Sequence, residues 1–256
     1  METINDIRKV DSYQELSEVC ADILIHTVIE KPDARIIAAA GYSPREAYRL
    51  FVKRIKEERI DVSQITFIKL DEWAELAPVN PVTCEYFLQK ELIEPLKIDK
   101  DHYISFDAMA GNLEEECSRI QKELDRAGEI DLCILGLGMN GHLGLNEPGQ
   151  VLYPLPHVST LDYKTRTHAM LKETDTAVTQ GITLGIWNLL SSAKIILLVT
   201  GDEKREALEI MLKGCITTST PASILNLHKN VTVIIDQEIF RVIYERKSYE
   251  NRTALL

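Results

Sequence analysis

Short apolar runs alternate with segments of helical period from one end of this chain to the other, and that alternation restricts the fold more than any other feature. The runs fall at 34–40 (A-R-I-I-A-A-A), 65–70, 131–135, 194–200 (K-I-I-L-L-V-T) and 231–235. Near-continuous apolar strands of this length read as buried on both faces. Between them lie helical stretches. Ser12 and Glu15 have the spacing of a capping box, and Leu16, Val19, Cys20, Ile23 and Leu24 then recur at helical intervals. Pro44 suits the first turn of a helix reaching about Arg59, and further helices are expected over 83–96, over 113–126 and after Gly201. Strands separated by single helices predict an α/β fold: a mostly parallel sheet with helices on both faces. The 256 residues show no repeat, low-complexity tract or linker, so one domain over 1–256 is expected.

Four runs end in residues suited to chemistry: Gly41–Ser43, Asp71, Gly138–His142, and Gly201 with Lys204. Open α/β sheets bind ligands outside the carboxyl ends of their strands. Four clusters spread along the chain are therefore expected to meet at one edge of the sheet.

Bulk properties narrow the ligand. The net charge is −11, from 40 acidic and 29 basic residues, which argues against nucleic acid as a partner because phosphate-backbone binding needs a concentrated cationic surface. A small phosphorylated molecule needs only a few donors in one cleft. The five cysteines (Cys20, Cys84, Cys117, Cys133 and Cys215) contain no C-x-x-C pair and signal neither a disulfide framework nor a zinc site. They read as reduced thiols of a cytoplasmic protein, and METINDIRKV lacks the apolar core of a signal peptide. No apolar run approaches the roughly 18–20 residues that span a bilayer, so no membrane partner is expected.

Gly136-Leu-Gly138-Met-Asn-Gly141 matches the dinucleotide fingerprint G-x-G-x-x-G, with Asp162 at about the expected distance beyond. That fingerprint must open a helix whose N-terminus holds a pyrophosphate. The continuation His142-Leu-Gly-Leu-Asn-Glu147-Pro148-Gly149 opposes a helix, so the stretch reads better as an active-site loop. An imidazole at His142 suits proton transfer near neutrality, and a carboxylate at Glu147 can orient it. The bland alternative is a surface histidine or a satisfied one in the core. Asp71 is either a general base aimed into a cleft, an N-cap for the following segment or part of a solvated acidic turn. Gly41-Tyr42-Ser43-Pro44 has the makings of a phosphate cradle, although an ordinary strand-to-helix turn would look similar. Lys204 is either the cation for that phosphate or a solvated lysine.

Taken together, L-D-E-W at 70–73, L-G-L-G-M-N-G-H-L-G-L-N-E-P-G at 135–149, L-V-T-G-D-E-K at 198–204 and T-P-A-S-I-L-N-L-H at 220–228 resemble the glucosamine-6-phosphate deaminase/isomerase family. H-A-M-L-K at 168–172 and I-T-L-G-I at 182–186 are most similar to its galactosamine-6-phosphate isomerase/deaminase branch. The resemblance implies a Rossmann-like sheet and conversion of a 2-amino-2-deoxyhexose 6-phosphate to a ketose 6-phosphate plus ammonia, with no metal or organic cofactor. It implies Asp71 as the base moving a proton between C2 and C1, and His142 as the group handling the ring-oxygen proton, oriented by Glu147 and Asn140. It implies phosphate binding by the turn of Gly41, Tyr42 and Ser43 and by Lys204. Assembly is left open by the resemblance, a homo-oligomer being compatible with it.

Three departures stand out. Asn140 replaces the Asp of many members. Tyr42 occupies a place that is usually small. Leu171 stands where glucosamine-phosphate enzymes carry a phosphate-binding Arg, a loss of ~1.5–3 kcal/mol if nothing compensates. Lys172 is adjacent, but on a strand it would face away. Two alternatives carry different expectations. A 6-phosphogluconolactonase shares the fold but lacks the N-E-P of 146–148. A catalytically silent sugar-phosphate sensor would carry a DNA-binding extension, and no basic recognition helix is evident.

Overall fold

The computed structural model describes residues 4, 6–167, 170–171, 176–237 and 239–240. In chain order the elements are β1 (Asp6–Val10), α1 (Tyr13–Glu30), β2 (Arg35–Ala38), α2 (Tyr42–Glu58), β3 (Thr66–Lys69), β4 (Asp71–Trp73), α3 (Cys84–Leu88), α4 (Glu94–Leu96), β5 (Tyr103–Ile104) and α5 (Leu113–Ala127). There follow β6 (Leu132–Gly136), β7 (His157–Thr160), α6 (Tyr163–Arg166), β8 (Gln180–Thr183), α7 (Ile186–Leu190), β9 (Lys194–Val199), α8 (Arg205–Leu212), a 3-10 helix (Pro221–Leu227) and β10 (Val231–Asp236).

Seven strands form one sheet in the order β1-β10-β9-β6-β2-β3-β5, with every pairing parallel. Side chains alternate between its two faces. Ile36, Ala38, Phe67, Leu132, Ile134, Ile196, Leu198 and Ile234 pack with α1, α2 and α3 on one side. Their neighbours Ile37, Ile68, Cys133, Leu135, Ile195, Leu197 and Val233 pack with α5, α7 and α8 on the other. Helices on both faces explain why these strands read as near-continuous apolar runs.

The start of α1 is capped by Ser12, whose Oγ accepts from Glu15 N at 3.1 Å. Glu15 completes the turn one residue earlier than a capping box would, accepting from Asp11 N at 2.6 Å. The helix expected over 83–96 is divided. A π-helical turn at Gln89–Ile93 separates α3 from α4, just before Pro95, which has no N–H to give to the carbonyl four residues back.

A second sheet, in the order β4-β8-β7 and antiparallel, was not anticipated. It corrects the reading of Asp71 as the end of a strand over 65–70. β3 stops at Lys69, Leu70 bridges, and Asp71 opens β4 in the other sheet, paired with Thr183. The chain bends there because Leu70 is pinned on both sides: its N–H reaches Ala38 O at 3.4 Å and its carbonyl accepts from Leu184 N at 2.9 Å. Beneath this small sheet Trp73, Leu76, Val82, Leu145, Leu161, Leu171 and Val178 form a third apolar cluster. No helix among the described residues is long and apolar enough to cross a membrane.

Candidate active site

Successive strands run outward from the centre of the large sheet in two directions, β2 to β3 to β5 one way and β6 to β9 to β10 the other. The reversal lies between β2 and β6, and a crevice is expected at their carboxyl ends. A cavity of about 640 Å³ occupies that place, within the range of small-ligand sites. Gly41, Tyr42, Ser43, Asp71, Gly138, Asn140, His142 and Lys204 all line it, so the four strand-end clusters do meet.

Gly41 follows β2 with φ 125° and caps α2, a backbone state that glycine supplies without strain. The first turn of α2, from Tyr42 to Arg45, therefore borders the cavity. Ser43 Oγ lies 3.4 Å from Thr200 Oγ1, which joins this turn to the end of β9. Tyr42 is exposed and stacks on Tyr13 with ring centroids 4.6 Å apart, while the Tyr13 hydroxyl donates to Tyr42 O at 2.6 Å. Lys204 is largely buried beside Glu203, 3.7 Å away. Burial pulls its pKa down, against the pull of Glu203.

Asp71 keeps part of its surface open to the cavity while protein atoms enclose the rest. Its pKa is raised to about 7 by burial and by the neighbouring Glu72, against the opposing pull of Cys84, His142 and Lys69. Behind it runs a buried ionic network. Lys69 Nζ donates to Glu72 at 3.1 Å, to Glu85 at 2.8 Å and to Phe106 O at 3.0 Å. A carboxylic acid titrating near neutrality can take and return a proton.

His142 sits in the loop after β6. Its Nδ1 lies 3.1 Å from Thr165 Oγ1 and 3.4 Å from Glu147 Oε2, which leaves Nε2 for a substrate. Asn140 braces both partners: Nδ2 donates to Glu147 Oε2 at 2.8 Å, and Oδ1 accepts from His142 N at 3.2 Å. Burial raises the Glu147 pKa, but the bond and charge of His142, with Thr165 and Asn140, outweigh it and hold the carboxyl below its usual range. Glu147 thus does not line the cavity; it stands behind the imidazole.

The glycines of this loop make that packing fit. A Cβ on Gly138 would lie 2.3 Å from the His142 ring, and one on Gly141 would lie 2.6 Å from Thr220. Asn146 bolts the loop down by donating to Leu143 O at 2.8 Å and Leu184 O at 2.9 Å. Ala222 N, at the start of the 3-10 helix, donates to Gly141 O at 2.8 Å, so the T-P-A-S stretch supports the loop.

Some expectations are revised. Gly201 is not part of the cavity wall, although its neighbours Thr200 and Glu203 are. Leu171 is buried in the third apolar cluster and does not line the cavity, and it lies outside any strand. His168 and Lys172 lie outside the described residues. The cavity also gathers residues not singled out beforehand, among them Arg45, Cys84, Thr165 and Thr200. Arg45, in the first turn of α2 beside the glycine turn, was the one with a signal in the sequence. Thr165 is 23 positions from its partner His142 on a four-residue helix, and nothing local marks it.

A family profile described as glucosamine-6-phosphate isomerases/6-phosphogluconolactonase matches residues 8–234. A protein of Escherichia coli (strain K12) called "Putative deaminase AgaI" is 43% identical over 233 residues, covering 91% of this chain and 92% of its own. Glucosamine-6-phosphate deaminase 1 of Bacillus subtilis (strain 168) is 35% identical over 234 residues, covering 91% and 97%. Among solved structures, a monomeric glucosamine-6-phosphate deaminase superposes with a TM-score of 0.88 at 34% identity, covering 92% of this chain and 98% of that one. A 6-phosphogluconolactonase from Trypanosoma cruzi, at 20% identity and a TM-score of 0.76, shares the fold. By profile, by identity over nearly its whole length and by architecture, the chain belongs to the glucosamine-6-phosphate isomerase/6-phosphogluconolactonase family.

Proposed function

We propose that this chain converts a 2-amino-2-deoxyhexose 6-phosphate to the ketohexose 6-phosphate and ammonia, with galactosamine 6-phosphate the first candidate substrate and glucosamine 6-phosphate the second. One observation carries the reading: Asp71 and His142 line the same sugar-sized cavity, the imidazole backed by Glu147 at 3.4 Å. The names of the deaminase relatives support it.

The phosphate docks against the first turn of α2, with Ser43 and Lys204 as donors, where helix N–H groups and a cation favour an anion. His142 Nε2 passes a proton to the ring oxygen and takes up the one that the C1 hydroxyl gives up, opening the ring to the aldehyde. Glu147 holds the charge of the imidazolium while it exists. Asp71 then removes the proton from C2 and returns it to C1. The electron pair of that C–H bond forms a C1–C2 double bond while the C1 carbonyl pair moves onto O1, which takes a proton from the imidazolium. The nitrogen lone pair then forms the C2–N double bond as the C1–C2 pair takes the proton back at C1, leaving an alcohol at C1 and a protonated imine at C2. Water adds to the imine and ammonia leaves, which completes the ketose. No step calls for a metal or an organic cofactor. We place the reaction in the cytoplasm, in keeping with the absence of any disulfide among the five cysteines, and regard a homo-oligomer as compatible with it.

The test is a panel of hexosamine 6-phosphates assayed for ammonia and ketose phosphate together, with Asp71→Asn as the control. Stoichiometric release of both products by the parent, lost in the variant, supports the reading. No turnover of either hexosamine phosphate, or hydrolysis of 6-phosphogluconolactone in their place, overturns it.

A further inference from the structure

Asp71 has a partner that the reaction scheme leaves unused. Cys84 Sγ lies 3.5 Å from Asp71 Oδ1, and Cys84 alone of the five cysteines lines the cavity. The thiol is buried, and that burial, with the charges of Glu72 and Asp71, pushes its pKa up. It therefore stays protonated and can only donate to the carboxylate.

The contact is braced from behind. Cys84 opens α3, and its N–H donates to Glu72 Oε1 at 2.9 Å, while Glu85 N donates to Oε2 at 2.7 Å. Glu72 Oε1 also accepts from Trp73 N at 2.9 Å, and Oε2 from Lys69 Nζ at 3.1 Å. Glu72 is the residue after Asp71 in β4. One buried carboxylate thus grips both the strand that carries Asp71 and the helical turn that carries Cys84. The side chains of Lys69 and Glu72 are 1% and 2% exposed, so solvent does not loosen the clamp.

We propose that Cys84 is a positioning residue for Asp71: its S–H occupies Oδ1 and fixes the plane of the carboxylate, leaving Oδ2 for the substrate. The proposal rests on the reading of Asp71 as the base. A shuttle between adjacent carbons needs one oxygen that reaches both, and a carboxylate free to rotate would spend less time in that geometry. A donor to the charged form also favours ionisation. The other groups coupled to Asp71 are Glu72 on its own strand, Lys69 from β3, Tyr48 from α2 and His142 from the loop after β6.

Two variants of the full chain, Cys84→Ala and Cys84→Ser, test this. The readouts are kcat, KM, the pH profile of kcat, and the titration of the Asp71 carboxyl followed by carbon NMR and assigned with Asp71→Asn. Cys84→Ala is expected to lower kcat about tenfold with KM nearly unchanged, the size of one weak donor to a charged group. The acid limb of kcat and the Asp71 midpoint should both move to higher pH. Cys84→Ser keeps a donor and should recover most of each. An alanine variant with parental kcat and midpoint overturns the proposal, as does a serine variant that recovers neither. If the parent turns over no hexosamine phosphate, the functional reading falls, while the carboxyl titration still decides whether Cys84 donates to Asp71.

Discussion

Gly138→Ala isolates the placement of His142 from the rest of the site. The new Cβ would stand 2.3 Å from Cδ2, 2.4 Å from Nε2 and 2.5 Å from Cγ of the imidazole. Unbonded carbons settle at about 3.5 Å, so the ring must retreat by roughly 1.2 Å. The backbone has little room to yield, because Gly138 N donates to His142 O at 3.0 Å and Gly138 O accepts from Gly141 N at 3.0 Å. The ring therefore gives up its 3.1 Å contact with Thr165 or its 3.4 Å contact with Glu147, or intrudes on the cavity. A misplacement of this size costs about a hundredfold in rate. Overpacking of this kind costs about 1–3 kcal/mol of stability, or about 2–4 °C of Tm per kcal/mol in a chain of this length. The expected signature is thus a folded variant, several degrees less stable, with kcat down about a hundredfold. Ammonia release and scanning calorimetry measure the two sides. Gly111→Ala, where a Cβ meets nothing within 4 Å, is the control. A Gly138→Ala enzyme retaining kcat to within about threefold of its parent would refute the placement of the imidazole as the step that matters.

Three further outcomes follow from the same geometry. An unperturbed Asp titrates near 4, roughly, and Asp71 at about 7, so the folded chain holds that proton more tightly; the associated stability is full at low pH and lost as pH rises through 7. Asp71→Asn should therefore abolish turnover yet melt above its parent at pH ~8, with the gap closing towards pH ~4, as differential scanning fluorimetry would show. Lys204→Met should raise KM about ten- to a hundredfold with kcat little changed, and should weaken inhibition by inorganic phosphate in the same assay. Lys69→Met removes the cation from a buried network of two carboxylates and should cost about 3–5 kcal/mol in urea unfolding.

The strands of the large sheet that could be read in advance are those covered by helices on both faces. β2, β3, β6, β9 and β10 are mostly apolar because both faces of each are covered. β1 was hidden because D-I-R-K-V is an edge strand with a mostly solvated face, and β5 is only two residues long. The small sheet was hidden for another reason. D-E-W, H-V-S-T and Q-G-I-T carry no strong alternation, and they are strands only because β8 pairs with β7 on one side and, across more than a hundred positions, with β4 on the other. Candidate residues on glycine-rich strand ends were legible, since glycine there lets the backbone turn sharply and approach a ligand closely. Their partners on ordinary helical positions, Thr165 and Cys84, were not.

The hidden sheet is also what joins the two halves of the site. Asp71 pairs with Thr183 in the register of β4 and β8. Thr183 Oγ1 in turn accepts from Leu145 N at 3.2 Å and donates to Leu184 O at 3.1 Å, and it would lie 2.8 Å from a Cβ on Gly144. The strand that holds the carboxylate and the loop that holds the imidazole are thus measured against the same threonine. Without β8, Asp71 would be a polar residue at the end of a strand, equally suited to capping a turn in water. With it, the carboxylate is drawn under the second sheet beside Glu72, and the resulting burial lifts its pKa to about 7. The ambiguity of Asp71 in the sequence and its raised pKa in the fold therefore have one cause: its environment is completed by a strand more than a hundred residues away.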